Sequence, residues 1–409
     1  MKKEEILKLY YGFDYLKHEQ NKIVDSVLDG NDTIGILPTG YGKSITFQIP
    51  SLILDGITLV ITPLIALMAD QVEGLNKRKI KAAYINSLQT FEQQEIIYDR
   101  LIKYKIKLLY ISAERLLTKR FLEVINKVKI SLIVCDEAHT LLWSEDFRAA
   151  LGKIPDFINC LPFRPRILAL TATATKSTIE KIIKYIGIRN PNIIECDCDR
   201  KNIFYKIIKV NNKKELLIKY IEKRKSMLGI IYCLTIKHCE EVYSYLLSLG
   251  YKVGLYHGSL SVDDKNIVQK KFSSNDIKIM VCTNAFGMGI DMPNIRYVIE
   301  YDMPSSIEDF VQQSGRASRD GKYAESVIFF NFDDIKTNQY FIDNIQNNNK
   351  NLSEIRRIKV DRYQKLDAII SLCLTKKCLH KMVCKYFNIK HKGKCNMCSN
   401  CKNKKSVEL

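Results

Sequence analysis

The sequence predicts an α/β protein: two tandem lobes, each a parallel sheet wrapped by helices, followed by a small helical subdomain rich in cysteine. Three observations carry this. Short apolar runs alternate with helical patterns over residues 33–171, and the alternation restarts near Asp199–Tyr205 and runs to Phe330. A glycine-rich loop and an acidic pair each follow one of the early runs, at the strand end where open α/β sheets bind ligands. Near the C-terminus, Cys395, Cys398 and Cys401 stand in a C-x2-C-x2-C spacing. The expected division is 1–200, 201–335 and 336–409.

In chain order, Phe13, Lys17 and Gln20 come first. An aromatic, a cation and a carboxamide at these positions suit a purine clamp, with the Phe13 ring stacking and the Gln20 amide pairing with the N6 and N7 edge. The same residues fit an amphipathic helix with an ordinary surface Gln. The run Thr33–Leu37 then leads into LPTGYGKS, Leu37 to Ser44. Across Thr39, Gly40 and Gly42 the backbone N–H groups can close around phosphate oxygens, which a β-carbon would obstruct. Lys43 would reach the β- and γ-phosphates, and Ser44 would ligate Mg²⁺ at the start of the next helix. A strict pattern has Gly where this chain has Leu37. The loop is read as a nucleoside-triphosphate site.

Runs at Thr58–Thr62, Lys107–Ser112, Ser131–Cys135 and Arg166–Thr171 read as further strands of this sheet. The Ser131–Cys135 run is unbroken rather than alternating, which marks a strand buried on both faces. Asp136 and Glu137 follow it: the first can hold Mg²⁺ through water, and the second can orient or deprotonate an attacking water. In the loops Thr62–Gln71, Ser112–Leu116 and Thr171–Thr175, short hydroxyl residues suit phosphate contacts or helix N-caps, Thr171 and Thr173 included.

The second half repeats the alternation at Gly229–Cys233, Lys252–Tyr256, Lys278–Cys282, Arg296–Ile299 and Ser326–Phe330. It lacks a phosphate loop but carries Gln312 to Gly321. There Arg316 and Arg319, three apart, are expected on one face of a helix, able to stabilise charge on a transferring phosphoryl group. Gln312 or Gln313 is a candidate sensor of the γ-phosphate. The polar, Asn-rich stretch from Asn331 to Lys359 reads as a loop, and Leu366–Leu374 as a buried helix. The clustered cysteines suit a closed tetrahedral Zn²⁺ site, with Cys373, Cys378, Cys384, His380 and His391 open as fourth ligand and iron–sulfur ligation as the chemical alternative.

The chain carries 64 Lys+Arg against 45 Asp+Glu, a formal net charge of +19, which suits a polyanionic partner. No apolar stretch approaches a membrane span, so a soluble intracellular protein is expected. Of 13 cysteines, Cys135, Cys233 and Cys282 lie singly in apolar runs and read as small core hydrophobes. The segment from Lys376 to Lys405 holds ten lysines and no acid, which suits duplex phosphates.

Taken together, GFDYLKHEQ, PTGYGKS, TPLIALMADQ, DEAH, WSEDFR, TATAT, IIYC, YHGSL, AFGMGID and QQSGRASRDG resemble, in order, the motifs of the RecQ family of superfamily 2 helicases, from about Tyr11 to Cys401. The resemblance implies two RecA-like lobes with a zinc subdomain, ATP bound between Lys43, Asp136 and Glu137 on one side and Arg316 and Arg319 on the other, and ATP-driven 3′→5′ movement on single-stranded DNA. Arg319 is the preferred arginine finger. It assigns the fourth zinc ligand to Cys378, through its spacing to Cys395, and makes the Trp143–Arg148 loop the coupler of DNA contact to hydrolysis. Trp143 and Phe147 would stack on bases there and Arg148 contact phosphate. Departures from the family pattern are Phe13 for Tyr, Lys17 for Arg, Ser318 for Gly, Ala-Ala-Leu after Arg148 and a loop one residue shorter before Trp143. The chain stops shortly after Cys401, so a motor with a zinc platform and no winged helix is expected. It would act as a monomer on single-stranded and tailed duplex DNA, with room for a single-strand-binding or fork-binding partner. Alternatives are a translocase or annealing factor using ATP as a switch, and an RNA helicase.

Overall fold

The computed structural model describes residues 1–38, 40–62, 65–86, 89–139, 152–196, 200–287, 292–345, 352–391 and 393–402, with backbone alone at 65–67 and 354. The chain divides into two compact units, Met1–Asp197 and Cys198–Leu409.

The first unit opens with α1 (Lys3–Tyr11) and α2 (His18–Leu28) and then alternates: β1 (Thr33–Ile36), α3 (Ile45–Ile53), β2 (Ile57–Ile61), α4 (Ile65–Lys77), β3 (Ala82–Ile85), α5 (Phe91–Ile102), β4 (Leu108–Ile111), α6 (Lys119–Ile125), β5 (Ile130–Cys135), α7 (Ile154–Asn159), β6 (Arg166–Thr171), α8 (Lys176–Ile186) and β7 (Asn192–Glu195). Its strands pair in parallel in the order β3-β4-β2-β5-β6-β1-β7. The unbroken apolar character of β5 has a direct cause. Ile133 and Cys135 join the core on one sheet face, while Leu132 and Val134 join the core on the other. Full burial of each aliphatic side chain contributes roughly 1.5–3 kcal/mol. On α8, Ile179, Ile182 and Ile186 bury one helical face, Thr175 caps the start by accepting from the Thr178 N–H at 3.2 Å, and Gly187 closes the end at φ 74°. The N-cap is therefore Thr175, not Thr171 or Thr173.

The second unit contains β8 (Ile203–Lys209), α9 (Lys213–Glu222), β9 (Leu228–Tyr232), α10 (Ile236–Ser248), β10 (Val253–Tyr256), α11 (Val262–Ser273), β11 (Ile279–Cys282), β12 (Ile295–Glu300), α12 (Ile307–Ser314), β13 (Ala324–Phe330), α13 (Asp333–Asp343), α14 (Leu352–Leu374) and α15 (Leu379–Tyr386). Its strands are parallel in the order β10-β11-β9-β12-β13-β8. Cys135, Cys233 and Cys282 are buried, as expected of core thiols. The expected loop over Asn331–Lys359 is corrected: α13 and the start of α14 occupy most of it. The polar composition misled because Asp334 and Asn338 are buried and hydrogen-bonded, Asp334 to the backbone N–H of Met303 and Asn331, Asn338 to the Met303 carbonyl. Among the described residues no helix is long and apolar enough to cross a membrane.

Where β9, β12 and β13 end, Lys213 bridges Asp302 at 3.1 Å and Asp334 at 2.5 Å, and His238 Nδ1 lies 3.0 Å from Asp302. The hydrogen bond to Asp302 raises the His238 pKa above 6.5, helped by Asp302 and Glu241 charges and opposed by burial and Lys213. A folded-state value above the unfolded one means that the stabilisation is full below about pH 6.5 and fades as pH rises through the folded value. His238→Gln should therefore lower the melting temperature at pH 6 by about 1–2 °C, discounted for solvent exposure, and by less at pH 8.5, as read by thermal denaturation.

Candidate functional site

In the first unit the glycine loop follows β1 and leads into α3. Gly40 and Gly42 take φ of 80° and 91°, and a β-carbon on Gly42 would sit 2.6 Å from the Gln20 amide nitrogen. Gln20 explains the close approach. It is 6 % exposed, its amide donates to the carbonyls of Tyr41 at 2.8 Å and Gly42 at 3.2 Å, and its oxygen accepts from the Lys17 N–H at 2.9 Å. The residue expected to read a purine is thus engaged at both ends with the protein, shaping the loop. Lys17 lies with Nζ 4.4 Å from the Tyr41 ring centroid, and the Tyr41 hydroxyl donates to Glu19. Phe13 is 58 % exposed. Ser44 is the N-cap of α3, and its hydroxyl makes no capping bond. Thr39 lies outside the described residues.

At the end of β5, Asp136 extends the pairing with β2 through its N–H to the Ile61 carbonyl at 3.0 Å. Glu137 turns into the left-handed region at φ 49°, held by its N–H donating to Asp136 Oδ1 at 3.0 Å. That turn aims its carboxylate at the glycine loop: Lys43 Nζ donates to Glu137 Oε1 at 2.9 Å, with side chains only 13 % and 20 % exposed. The other oxygen, Oε2, lies 3.4 Å from His139 Nδ1. That ring nitrogen is 2.9 Å from the Thr171 hydroxyl, which itself donates to the Thr173 carbonyl at 2.9 Å. With its one proton so used, Thr171 accepts, and His139 Nδ1 carries the hydrogen. Burial, then the Glu137 charge, push Asp136 up to about 6 against the pull of Lys43. Strand β6 thus supplies Thr171 as a partner for the acidic motif.

The arginine segment is corrected. Helix α12 ends at Ser314, so Arg316 and Arg319 do not share a helix face. The chain turns through Ser318 at φ 48°, in the left-handed region. Its hydroxyl anchors the turn, receiving from Asn202 at 3.0 Å and Arg296 at 3.2 Å and bonding the Lys322 carbonyl. Arg316 is 7 % exposed and packs where Gly287, at φ 111°, leaves room. Gln312 lies half-buried on α12, while the Gln313 side-chain amide is buried, its nitrogen donating to Asn284 Oδ1 at 2.5 Å. Trp143, Phe147 and Arg148 lie outside the described residues.

Cys378, Cys395, Cys398 and Cys401 bring their sulfurs within 4.8 Å of one another. Cys395 and Cys401 are 3.8 Å apart, matching the ~3.8 Å edge of a tetrahedron with metal–sulfur bonds of about 2.3 Å. Backbone N–H groups of Leu379, Lys381 and Met397 donate to Cys398, Cys378 and Cys395 at 3.4, 3.4 and 3.3 Å, an arrangement suited to thiolates. Burial raises Cys395 and Cys398. At Cys401 burial is outweighed by hydrogen bonds with Cys378, Cys398 and Cys395, bringing it to about 7. Among the described residues none of the rivals joins this cluster, and His380 stacks on Tyr205 at 4.1 Å with Nε2 near the Ile203 and Met397 carbonyls. The loop also pairs with β8, Tyr205 N–H to Met397 and Ser399 N–H to Tyr205.

Family models match three consecutive stretches: DEAD/DEAH box helicase at 17–182, helicase conserved C-terminal domain at 212–321 and RecQ zinc-binding at 332–402. A relative from Synechocystis, ATP-dependent DNA helicase RecQ, is 34% identical over 332 residues, covering 79% of this chain and 69% of its own. The chain belongs to the RecQ family. The Bacillus subtilis RecQ is 34% identical over 97% of this chain and 66% of its own. A mimivirus relative of this RecQ chain, 36% identical over 98% of it and 72% of its own length, is named a putative ATP-dependent RNA helicase. The chain spans 66%, 52% and 63% of the RecQ proteins of B. subtilis, Pasteurella multocida and Haemophilus influenzae. Its fold is shared with the helicase MrfA bound to DNA and AMPPNP, at a TM-score of 0.70 and 18% identity, over 90% of this chain and 56% of that one.

Proposed function

We propose that this RecQ-family chain is an ATP-dependent DNA helicase, coupling hydrolysis to 3′→5′ movement on single-stranded DNA and to duplex unwinding. The observation that carries the reading is the Lys43–Glu137 pair at 2.9 Å, joining the glycine loop to the acidic motif in a chain with a four-cysteine cluster. In this mechanism the loop from Thr39 through Gly40 and Gly42 to Lys43 binds the phosphates, Lys43 leaving Glu137 for the γ-phosphate. Ser44 and Asp136 would hold Mg²⁺, which supplies charge neutralisation at the phosphates. Glu137 positions and deprotonates the water, kept in place by His139 and Thr171. Arg319, with Arg316, stabilises charge on the transferring group, and Gln312 senses it. Phe13 and Lys17 contact the base, and Gln20 sets the loop. The DNA-contacting loop is Trp143, Phe147 and Arg148, and the domains are 1–200, 201–335 and 336–409. The four cysteines hold zinc, a structural ion that fixes the C-terminal segment.

Strand separation tests this directly, with ATP and Mg²⁺, on 3′-tailed and 5′-tailed duplexes and with Lys43→Ala as control. Separation of the 3′-tailed duplex alone is expected. DNA-stimulated hydrolysis without separation would reduce the protein to a translocase. The mimivirus relative's name supports a second reading, an RNA helicase, and stimulation of hydrolysis by RNA but not DNA would favour it.

A further inference from the structure

We infer that Arg200 and Asn202 are positioning residues for the arginine segment Arg316–Arg319, setting the geometry of a finger they do not themselves form. The inference rests on the reading of Arg319 as the finger. Helix α12 ends at Ser314, immediately before that segment; the N–H groups of Gly315, Arg316 and Ala317 close its last turn, and the carbonyls of the segment itself need donors from elsewhere. The Arg200 guanidinium fills this role from a distant part of the sequence. Its Nη2 donates to the carbonyls of Ala317 at 3.1 Å and Ser318 at 2.8 Å, and its Nη1 to Gly315 at 3.5 Å. Asn202 completes the clamp, its amide donating to the Ser318 carbonyl at 3.1 Å, the Ser318 hydroxyl at 3.0 Å and the Lys322 carbonyl at 3.1 Å. Arg200 Nε also donates to Asn202 Oδ1 at 3.3 Å, so the two side chains act as one unit.

Three features make this more than ordinary packing. The bonds go to main-chain atoms on both sides of Arg319 in sequence, so they fix backbone direction rather than a side-chain rotamer. The segment holds a non-glycine residue, Ser318, at a φ of 48°, a conformation that needs outside support. Burial, with the charge of Arg319 acting in the same direction, lowers the Arg200 pKa, so the two guanidiniums feel one another. Placing a second cation near the finger is electrostatically unfavourable, and the carbonyls it binds offset that cost.

The test is a double-mutant cycle on DNA-stimulated ATP hydrolysis with Arg200→Ala, Arg319→Ala and both together, read as kcat and KM beside thermal melting. Misplacing the finger should lower kcat by about 10- to 100-fold with KM for ATP little changed. Because Arg200 acts through Arg319, the double variant should be no slower than Arg319→Ala. If Arg319→Ala is impaired and Arg200→Ala is not, or the two losses multiply, the positioning role is wrong while the finger reading stands. If Arg319→Ala keeps full kcat, the finger reading fails and this inference falls with it. Should Arg200→Ala melt below the assay temperature, Arg200→Lys, which keeps the charge and a donor, enters the same cycle and is expected to be intermediate in kcat.

Discussion

Glu137→Gln is expected to lower DNA-stimulated ATP hydrolysis by about 10²–10⁴-fold, the usual worth of a positioned general base, while nucleotide still binds. The substitution keeps size and hydrogen-bonding shape but removes the charge that can take a proton from water. That charge has a second task, pairing with Lys43 at 2.9 Å in a site little open to solvent. Glutamine holds Lys43 less strongly, so the lysine is freer to turn to phosphate. Binding of a fluorescent ATP analogue should be unchanged or tighter. Lys43→Ala should behave oppositely, losing nucleotide affinity along with turnover. Equal loss of binding in both variants would show that Glu137 serves to build the loop rather than to activate water. Retention of rapid hydrolysis in Glu137→Gln would remove it from the chemistry altogether.

The parts of this site that were legible in the sequence are those whose function demands a residue type at a fixed local spacing. Gly40, Gly42, Lys43 and Ser44 form such a group, as do Asp136 and Glu137 after an unbroken apolar strand. What escaped were contacts across sequence distance that no motif pairs. Gln20 was read as a surface residue or a purine reader, yet its amide binds loop carbonyls 21 and 22 positions away. Thr171 was read as a cap or a phosphate contact, and it partners His139 because β5 and β6 are neighbours in the sheet. The helix expected through Arg316 and Arg319 ends at Ser314, and nothing local announces that Ser318 beyond it will be held at positive φ by Asn202, Arg296 and Lys322.

The same physics separates the strands that were readable from those that were not. Strands in the middle of each sheet bury both faces and so are continuous apolar runs: β2, β5, β6, β9 and β12 coincide closely with the runs. Two strands without a matching run, β3 and β7, lie at sheet edges. Strand β7 is largely exposed, and its Asn192 and Glu195 ends are polar. Edge strand β8 ends in half-buried and exposed residues, and it is completed on its open side by Met397–Ser399 of the cysteine loop. The polar stretch after β13 folds into helix because its polar side chains, Asp334 and Asn338, satisfy nearby backbone groups.

That completion of β8 makes removal of the metal the second large effect. Cys395→Ser, or exposure of the whole chain to a strong chelator, is expected to release one zinc per chain and lower the melting temperature of the second unit on the order of 10 °C. Four sulfurs gathered within 4.8 Å cannot all ionise without a cation to neutralise them, and protonated thiols would not stay so tightly grouped. Opening the cluster frees more than a loop. Cys398 is fully buried in the same core as Ile203, Tyr205, Leu379 and Val383, and the strand bonds from Met397 and Ser399 to Tyr205 go with it. The His380 ring, stacked on Tyr205 and placed by the helix that Cys378 caps, loses both supports. Nucleotide binding by the first unit should persist, because Lys43, Asp136 and Glu137 draw their support from that unit's own sheet. Elemental analysis and two-transition calorimetry read the outcome. Full zinc content in Cys395→Ser would reassign the ligand set, and iron in its place would overturn zinc itself. A melt in which both units fall together would mean that the zinc cluster supports the whole chain rather than the edge of one sheet.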